Sequence, residues 1–365
     1  MIKTMERVTA ILFCLFIGGF GLMHLLLPDN SFSPVENRNL AQLPDFSWQE
    51  LKDGAYTADL EEYLADQFPL RDKWMGLKTR YEYLLGHREF KDVYLCDDTL
   101  ISRVHDDSRA DKNLTYITGL MGKTELPVYL GLIPTAAEVW RDKLPDGAQS
   151  FDQLAYLEKA KELGANWVDM YGVLNAHKDE GIYYRTDHHW TSLGAYYGYT
   201  ALMDAMGLSA EALGEKTVAA DDFYGTLYST SGVHWLAPDT IDRYVPADGV
   251  TVENGLTGEM GGLYADSYLG EKDKYSSFMG GNNPLYIVRS EDAATDLKIV
   301  VVRDSYTDSL APFLSRTFSE VHLLDLRYYK TSVAQYAAQC EADAIFICYS
   351  VENFIRDADA VFIGQ

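Results

Sequence analysis

Asp187, His188, His189 and Trp190 stand in a row within "YYRTDHHWTSLGAYYGY", a carboxylate and two imidazoles beside an indole. Three kinds of chemistry suit that run. A metal centre would take the three polar groups as ligands. Adjacent histidines point in different directions, however, and one carboxylate is too few without a second ligand cluster. His87, His105, His177, His234 and His322 are scattered, with no HxH or HxxxH spacing. A structural loop would use Asp187 and Thr191 to cap a following helix and leave the histidines in solvent. A catalytic relay would use the spacing of two. In an extended segment residues i and i+2 project to one side, so Asp187 and His189 lie together while His188 points away. The carboxylate would fix the imidazole tautomer and stabilise the imidazolium formed on taking a proton.

That relay lacks a nucleophile, and "VVVRDSYTDSLAPFL" offers Ser305. An apolar run ending in a polar tip reads as a buried strand followed by a helix. Open α/β sheets present catalytic groups at such strand ends. The helix start adds free N–H groups and a partly positive terminus, suited to a developing oxyanion. A serine that only caps the helix is the bland alternative. The letters DHH also occur in a manganese phosphoesterase superfamily, but the aspartate clusters that family needs on earlier strands are missing.

A sheet must hold these two segments together, and the chain alternates in the way that builds one. "LPVYLGLIPT" is a strand, Phe151 to Leu163 a helix and "NWVDM" a short strand. Ser192 to Met206 is a helix with Gly207 as its stop. After an interruption the rhythm resumes with "LKIVVVRDSY", "LAPFLSRTF", "EVHLLDL", "SVAQYAAQC" and "DAIFICYSV". Continuous apolar strands alternating with helices indicate an α/β domain with a buried parallel sheet. Between about residues 208 and 296 Tyr, Ser, Gly and Thr dominate, which predicts a β-rich insertion of short strands and turns. "DVYLCDDTLIS" reads as a hairpin.

The first 29 residues differ from the rest. Val8 to Leu27 contain no Lys, Arg, Asp or Glu, long enough for a helix that crosses a bilayer. Lys3 and Arg7 precede it, so the expected topology is a short cytoplasmic tip, a membrane anchor and an extracytoplasmic remainder. A cleaved signal peptide would have a shorter apolar stretch and a small-x-small site, and "HLLLPDNSFSP" shows none. Residues 30–85 then read as a membrane-proximal helical segment. Pro34 and Pro44 mark an irregular start, helical spacing begins at Asp59 and breaks at Pro69, and residues 86–365 form the main domain. The formal net charge of −24 over 365 residues argues against a nucleic-acid partner, which needs a basic surface. No CxxC spacing exists, and Cys340 and Cys348 are read either as a disulfide or as buried free thiols.

Taken together, DxHW ahead of a helix and a later strand–DSY–helix segment resemble the DHHW protein family. They also resemble the AlgJ/AlgX group of SGNH-hydrolase-like O-acetyltransferases of exopolysaccharide assembly. "ENRNLAQLP", "DGAYTADLEEYLADQFPLRD" and "YLGLIPT" are similar to that group's amino-terminal pattern, so the likeness covers most of the chain. The resemblance implies Ser305 as nucleophile, His189 as general base and Asp187 as its orienting acid. It implies an SGNH-like, flavodoxin-like sheet in permuted order, since acid and base precede the nucleophile. It further implies a polysaccharide substrate and an acetyl donor reached through a multi-pass membrane acyltransferase. No cofactor and no resident metal is expected. The group's usual glycine before Asp-Ser is replaced here by Arg303, read either as a clamp for an anionic sugar or as a sign that the turn is not catalytic. Oxyanion donors are sought at the Ser305 N–H, Gly280, Asn282 and Asn283, and sugar-stacking rings at Trp190, Tyr224, Tyr228 and Trp235. Transfer to a sugar, plain hydrolysis of acetyl esters, and a non-catalytic scaffold remain the three functional outcomes.

Overall fold

The computed structural model describes residues 2–33, 35–36 and 38–365, with residues 2–4 as backbone alone. Met1, Pro34 and the side chain of Lys3, which bear on the expected tip, irregular start and topology, lie outside that description. The chain divides into two compact units, Met1–His87 with Ser229–His234, and Arg88–Tyr228 with Trp235–Gln365.

In the first unit a 25-residue helix, Ile2–Leu26, carries an apolar stretch from Met5 to Leu26 with none of it buried. Its length and composition suit a membrane span. Three further helices follow, Trp48–Asp53, Ala55–Asp66 and Arg71–Leu84, one more than the apolar spacing suggests. The extra helix is made by local signals. The Ser47 hydroxyl accepts from the Glu50 amide at 3.4 Å, and Gly54 closes it in the left-handed region at φ 82°. The break expected at Pro69 falls between Asp66 and Arg71.

The second unit is a mixed α/β fold on one eight-stranded sheet. Its strands in chain order are β1 (Val128–Ile133), β2 (Asn166–Trp167), β3 (Val250–Asn254) and β4 (Met260–Gly261). They continue as β5 (Leu285–Ser290), β6 (Lys298–Arg303), β7 (Glu320–Leu324) and β8 (Ala344–Ser350). Across the sheet the order is β4-β3-β5-β7-β6-β8-β1-β2. The five strands from β7 to β2 run parallel, and β5, β3 and β4 add an antiparallel edge. The inner parallel strands β1, β6, β7 and β8 are buried on both faces, as their unbroken apolar runs require, while β2 forms the exposed edge. Where the sequence suggests an insertion between 208 and 296, three strands are instead hydrogen-bonded into the main sheet through β5 and β7. Their short, half-polar pattern reflects an antiparallel edge with one wetter face. The hairpin is present as Val93–Cys96 paired with Thr99–Ser102. The helix Ser192–Met206 has the expected ends, Thr191 Oγ1 accepting from Gly194 N and Gly207 in the left-handed region. All four cysteines are free thiols, so Cys340 and Cys348 are not joined.

Candidate active site

β6 ends at Arg303, and the chain turns through Asp304, Ser305 and Tyr306 into the helix Thr307–Thr317. The turn is closed by Thr307 N to Asp304 O (3.2 Å) and Asp308 N to Ser305 O (3.1 Å). Asp304 is fully buried. One oxygen accepts from the Tyr306 amide, the other from Ser350 N, Ser350 Oγ and Asn353 Nδ2, at 2.7–3.0 Å. Register explains the partnership, because β6 lies beside β8 with Arg303 opposite Cys348, bringing Ser350 to the Asp304 carboxylate. From Val301 to Leu310 every residue is buried except Ser305.

The acid and base come from a tight loop. Tyr183 and Trp190 form an antiparallel bridge, and residues 185–189 bend between them. Asp187 Oδ1 accepts from the His189 amide at 3.0 Å and faces His189 Nδ1 at 2.6 Å. The spacing of two does bring acid and base together, but through a carboxylate-closed turn rather than an extended strand. A proton held on Nδ1 leaves Nε2 as acceptor, and it meets Ser305 Oγ at 2.8 Å. Asp187, His189 and Ser305 thus form one line of hydrogen bonds across 116 residues of sequence.

Thr226 anchors the far side of the acid. Its amide and hydroxyl donate to Asp187 Oδ2 at 2.8 and 3.1 Å, and the hydroxyl faces His188 Nδ1 at 2.8 Å. Burial would raise the Asp187 pKa, but both imidazoles, the His189 hydrogen bond and the Thr226 amide hold it well below the usual carboxylate range. His188 does not point away as the alternation implies. Its ring lies 3.8 Å from that of His189, and burial together with the His189 charge pushes its pKa down to about 4. The two histidines therefore do not diverge as the sequence suggests, and Asp187, His188 and His189 each offer a ligand atom within 4.8 Å of the others. Those atoms are already engaged: both His189 nitrogens, His188 Nδ1 and both Asp187 oxygens have protein partners.

Tyr275 has no counterpart in the sequence reading. Its ring stacks on His189 at 3.8 Å and 8°, and its hydroxyl lies 3.0 Å from the Ser305 carbonyl and 3.1 Å from Ser309 Oγ. A tyrosine in a Ser- and Gly-rich run gives no sign of that placement. Several expected contacts are corrected. Arg303 has no exposed surface and pairs with Asp308 at 2.7 Å, so it neither reaches a sugar nor unseats the turn. Trp190 is fully buried, donating to the Tyr306 carbonyl and Ser309 Oγ, and offers no face to a sugar. Asn283 is spent on Asn254 and Tyr286. Gly280 sits in a left-handed run with Met279 and Gly281, and Asn282 is exposed. Among the described residues neither Gly280 nor Asn282 is hydrogen-bonded to the Asp187–His189–Ser305 line. Tyr224 remains accessible, its ring 4.5 Å from Tyr228, with the Lys272 ammonium 5.8 and 5.4 Å from the two rings and donating to the Tyr224 carbonyl.

No curated protein matches the chain in sequence. A DHHW family protein from Eubacterium siraeum superposes with TM-score 0.64 at 20% identity, covering 75% of this chain and 97% of its own. PatB1 of Bacillus cereus, solved with a sulfonyl adduct, gives 0.60 at 19%, covering 74% and 97%. The O-acetyltransferase domain of Pseudomonas putida AlgJ gives 0.46 at 15%, covering 73% and 92%, too distant to carry an argument. At these identities the likeness is one of fold. Family membership rests on sequence, where residues 109–324 match the DHHW proteins along well over half of the chain, and the chain belongs to the DHHW protein family.

Proposed function

We propose that the protein is a membrane-anchored, extracytoplasmic serine O-acetyltransferase acting on a cell-surface or exported polysaccharide. The observation that carries this reading is the hydrogen-bonded line from Asp187 through His189 to the accessible Ser305 hydroxyl. In this reading the second unit is an SGNH-like sheet in permuted order, with the acid–base loop ahead of the nucleophile. His189 Nε2 takes the Ser305 proton as Oγ bonds to the acetyl carbon of a donor. The resulting oxyanion is met by the Ser305 amide at the head of the helix Thr307–Thr317. His189 returns the proton to the departing group, leaving an acetyl ester on Ser305. A sugar hydroxyl then gives its proton to His189, its oxygen takes the acetyl group, and Ser305 regains its proton. Asp187 stays ionised throughout and steadies the imidazolium. The Tyr224–Tyr228 pair offers the sugar a stacking face beside Thr226. Acetyl groups arrive from a multi-pass membrane acyltransferase.

The test supplies an activated acetyl ester and candidate oligosaccharides to the purified chain and reads acetylated sugar by mass spectrometry. Sugar acetylation that disappears in Ser305→Ala supports transfer, whereas acetate release alone makes the protein an esterase. A sulfonyl fluoride should add its sulfonyl group to Ser305 with loss of fluoride. Label at any other residue, with turnover intact in Ser305→Ala, ends the proposal.

A further inference from the structure

The first unit leaves one helix face bare. Along Arg71–Leu84 the residues Trp74, Leu77, Tyr81 and Leu84 recur every three or four positions and Leu85 follows, forming one stripe. All are exposed, from 38% at Trp74 to 81% at Leu84. Helical geometry sets Lys73 and Arg80 along one border of the stripe and Lys78 along the other. The opposite face is covered. A Cβ on Gly232 would lie 2.8 Å from Thr79 Oγ1, and one on Gly76 3.9 Å from His234 Nδ1. The unit therefore packs the polar side of this helix inward and turns the apolar side out, the reverse of a water-soluble arrangement.

Its neighbour indicates what covers that side. The Trp74 ring lies 5.8 Å from Phe20 and 6.4 Å from Phe16, and Phe68 stacks on Phe20 at 5.4 Å. Phe16 and Phe20 fall within the apolar stretch Met5–Leu26. At the rise of an α-helix, Trp74 then stands roughly 10–15 Å inside the outer end of the span. We propose that the Trp74–Leu77–Tyr81–Leu84 face lies in the outer leaflet of the bilayer that the first helix crosses. Acyl chains cover the stripe, and Lys73 and Lys78 extend from its borders towards the lipid headgroups. Aromatic residues with flanking cations are the composition of an interfacial helix. The helix carries four basic residues against two acidic ones, within a chain of net charge −24. Lys78 also meets Glu82 at 3.6 Å, an exposed pair too weak to withhold the lysine from a phosphate. The inference rests on the amino-terminal helix acting as an uncleaved anchor.

The test uses the full chain with Cys14 and Cys340 changed to serine and one new cysteine, Leu77→Cys or Tyr81→Cys, carrying an environment-sensitive fluorophore. The exposed Thr57→Cys is the control. Reconstituted into phosphatidylcholine–phosphatidylglycerol vesicles, the labels at 77 and 81 should shift blue, be quenched by acyl-chain nitroxides and resist iodide at least threefold better than the control. Iodide quenching equal to the control overturns the proposal, and protection found only in native membranes gives the face to a protein partner instead. An alkaline wash reads the anchor separately: a chain retained by the vesicles with water-exposed labels refutes the leaflet contact alone, and a chain that washes off refutes both. Unchanged circular dichroism and melting temperature show that the labelled surface variants are folded.

Discussion

The acid–base contact of Asp187 and His189 is made between residues two apart, in a loop that Thr226 and Asp239 brace from outside, whereas the turn carrying Ser305 depends for its buried acid, Asp304, on groups from distant parts of the chain. In the loop, Asp187 bonds the amide and ring of a residue two positions on, and the Tyr183–Trp190 bridge pins the ends. In the turn, Asp304 is held from Ser350 and Asn353, and Tyr275 reaches the Ser305 carbonyl from 30 residues away. A short-range arrangement forms wherever its own residues can adopt the turn. A long-range one exists only once the sheet has its register. Substitution of His189 in the loop should therefore change chemistry with little change in stability, and substitutions around the turn should lower stability first.

The sharpest break of that contrast is at the line itself. Ser305→Ala and His189→Ala should each cut kcat for an activated acetyl ester by on the order of 10⁴-fold or more. Asp187→Ala should cost about 10²–10⁴-fold and also lower the melting temperature, since it leaves the His189 and Thr226 amides without their acceptor. Equal activity in all three, or a dead His188→Ala beside a live His189→Ala, would dissolve the loop's side of the comparison. Next, Arg303→Met leaves buried Asp308, whose pKa burial already pushes up to about 7, without its partner and should lower unfolding free energy by about 3–5 kcal/mol in urea titration at alkaline pH, where Asp308 is ionised. Arg303→Met with Asp308→Leu should recover most of it and leave KM unchanged. A KM rise in the stable double variant would instead restore Arg303 as a sugar contact.

His188 sharpens the comparison through pH. Its folded pKa lies near 4, below the ordinary value of 6.5, so the unfolded chain binds the proton first. The His188 contribution to stability is full above pH 6.5 and falls as pH drops from 6.5 towards 4. His188→Asn should remove on the order of 2 kcal/mol of that loss, read as a flatter melting-temperature profile over this window. His322 titrates in the same direction in both proteins and cancels. The smallest effect is expected at Tyr275→Phe, which keeps the ring on His189 and loses the bond to the Ser305 carbonyl. One neutral hydrogen bond of about 1 kcal/mol corresponds to roughly a fivefold fall in kcat, with KM unmoved. A stability loss without that fall would make Tyr275 only part of the core.

Much of the fold is legible because its signals are local. The helix Ser192–Met206 has the ends that Thr191 and Gly207 dictate, and the buried parallel strands stand where unbroken apolar runs occur. The edge strands β3, β4 and β5 are less legible, since an alternating pattern says that one face is wet without saying which neighbour supplies the hydrogen bonds. Trp190 and Arg303 misled for a related reason. An aromatic beside the base or a cation beside the nucleophile in sequence can face the core as readily as the cleft, and here Gly198 leaves the space that Trp190 fills.

By itself, then, the sequence determined what depends on residues a few positions apart: helix ends, the apolar amino-terminal helix, and a carboxylate and imidazole joined by one turn. Tertiary structure decided the rest. The β6–β8 register carries Asp304 to Ser350, the sheet brings Ser305 to His189 over 116 positions, and packing sets Tyr275 on the imidazole and buries Arg303. Backbone hydrogen bonds between strands and the filling of a close-packed core select those partners, and both are properties of the whole sheet rather than of any segment.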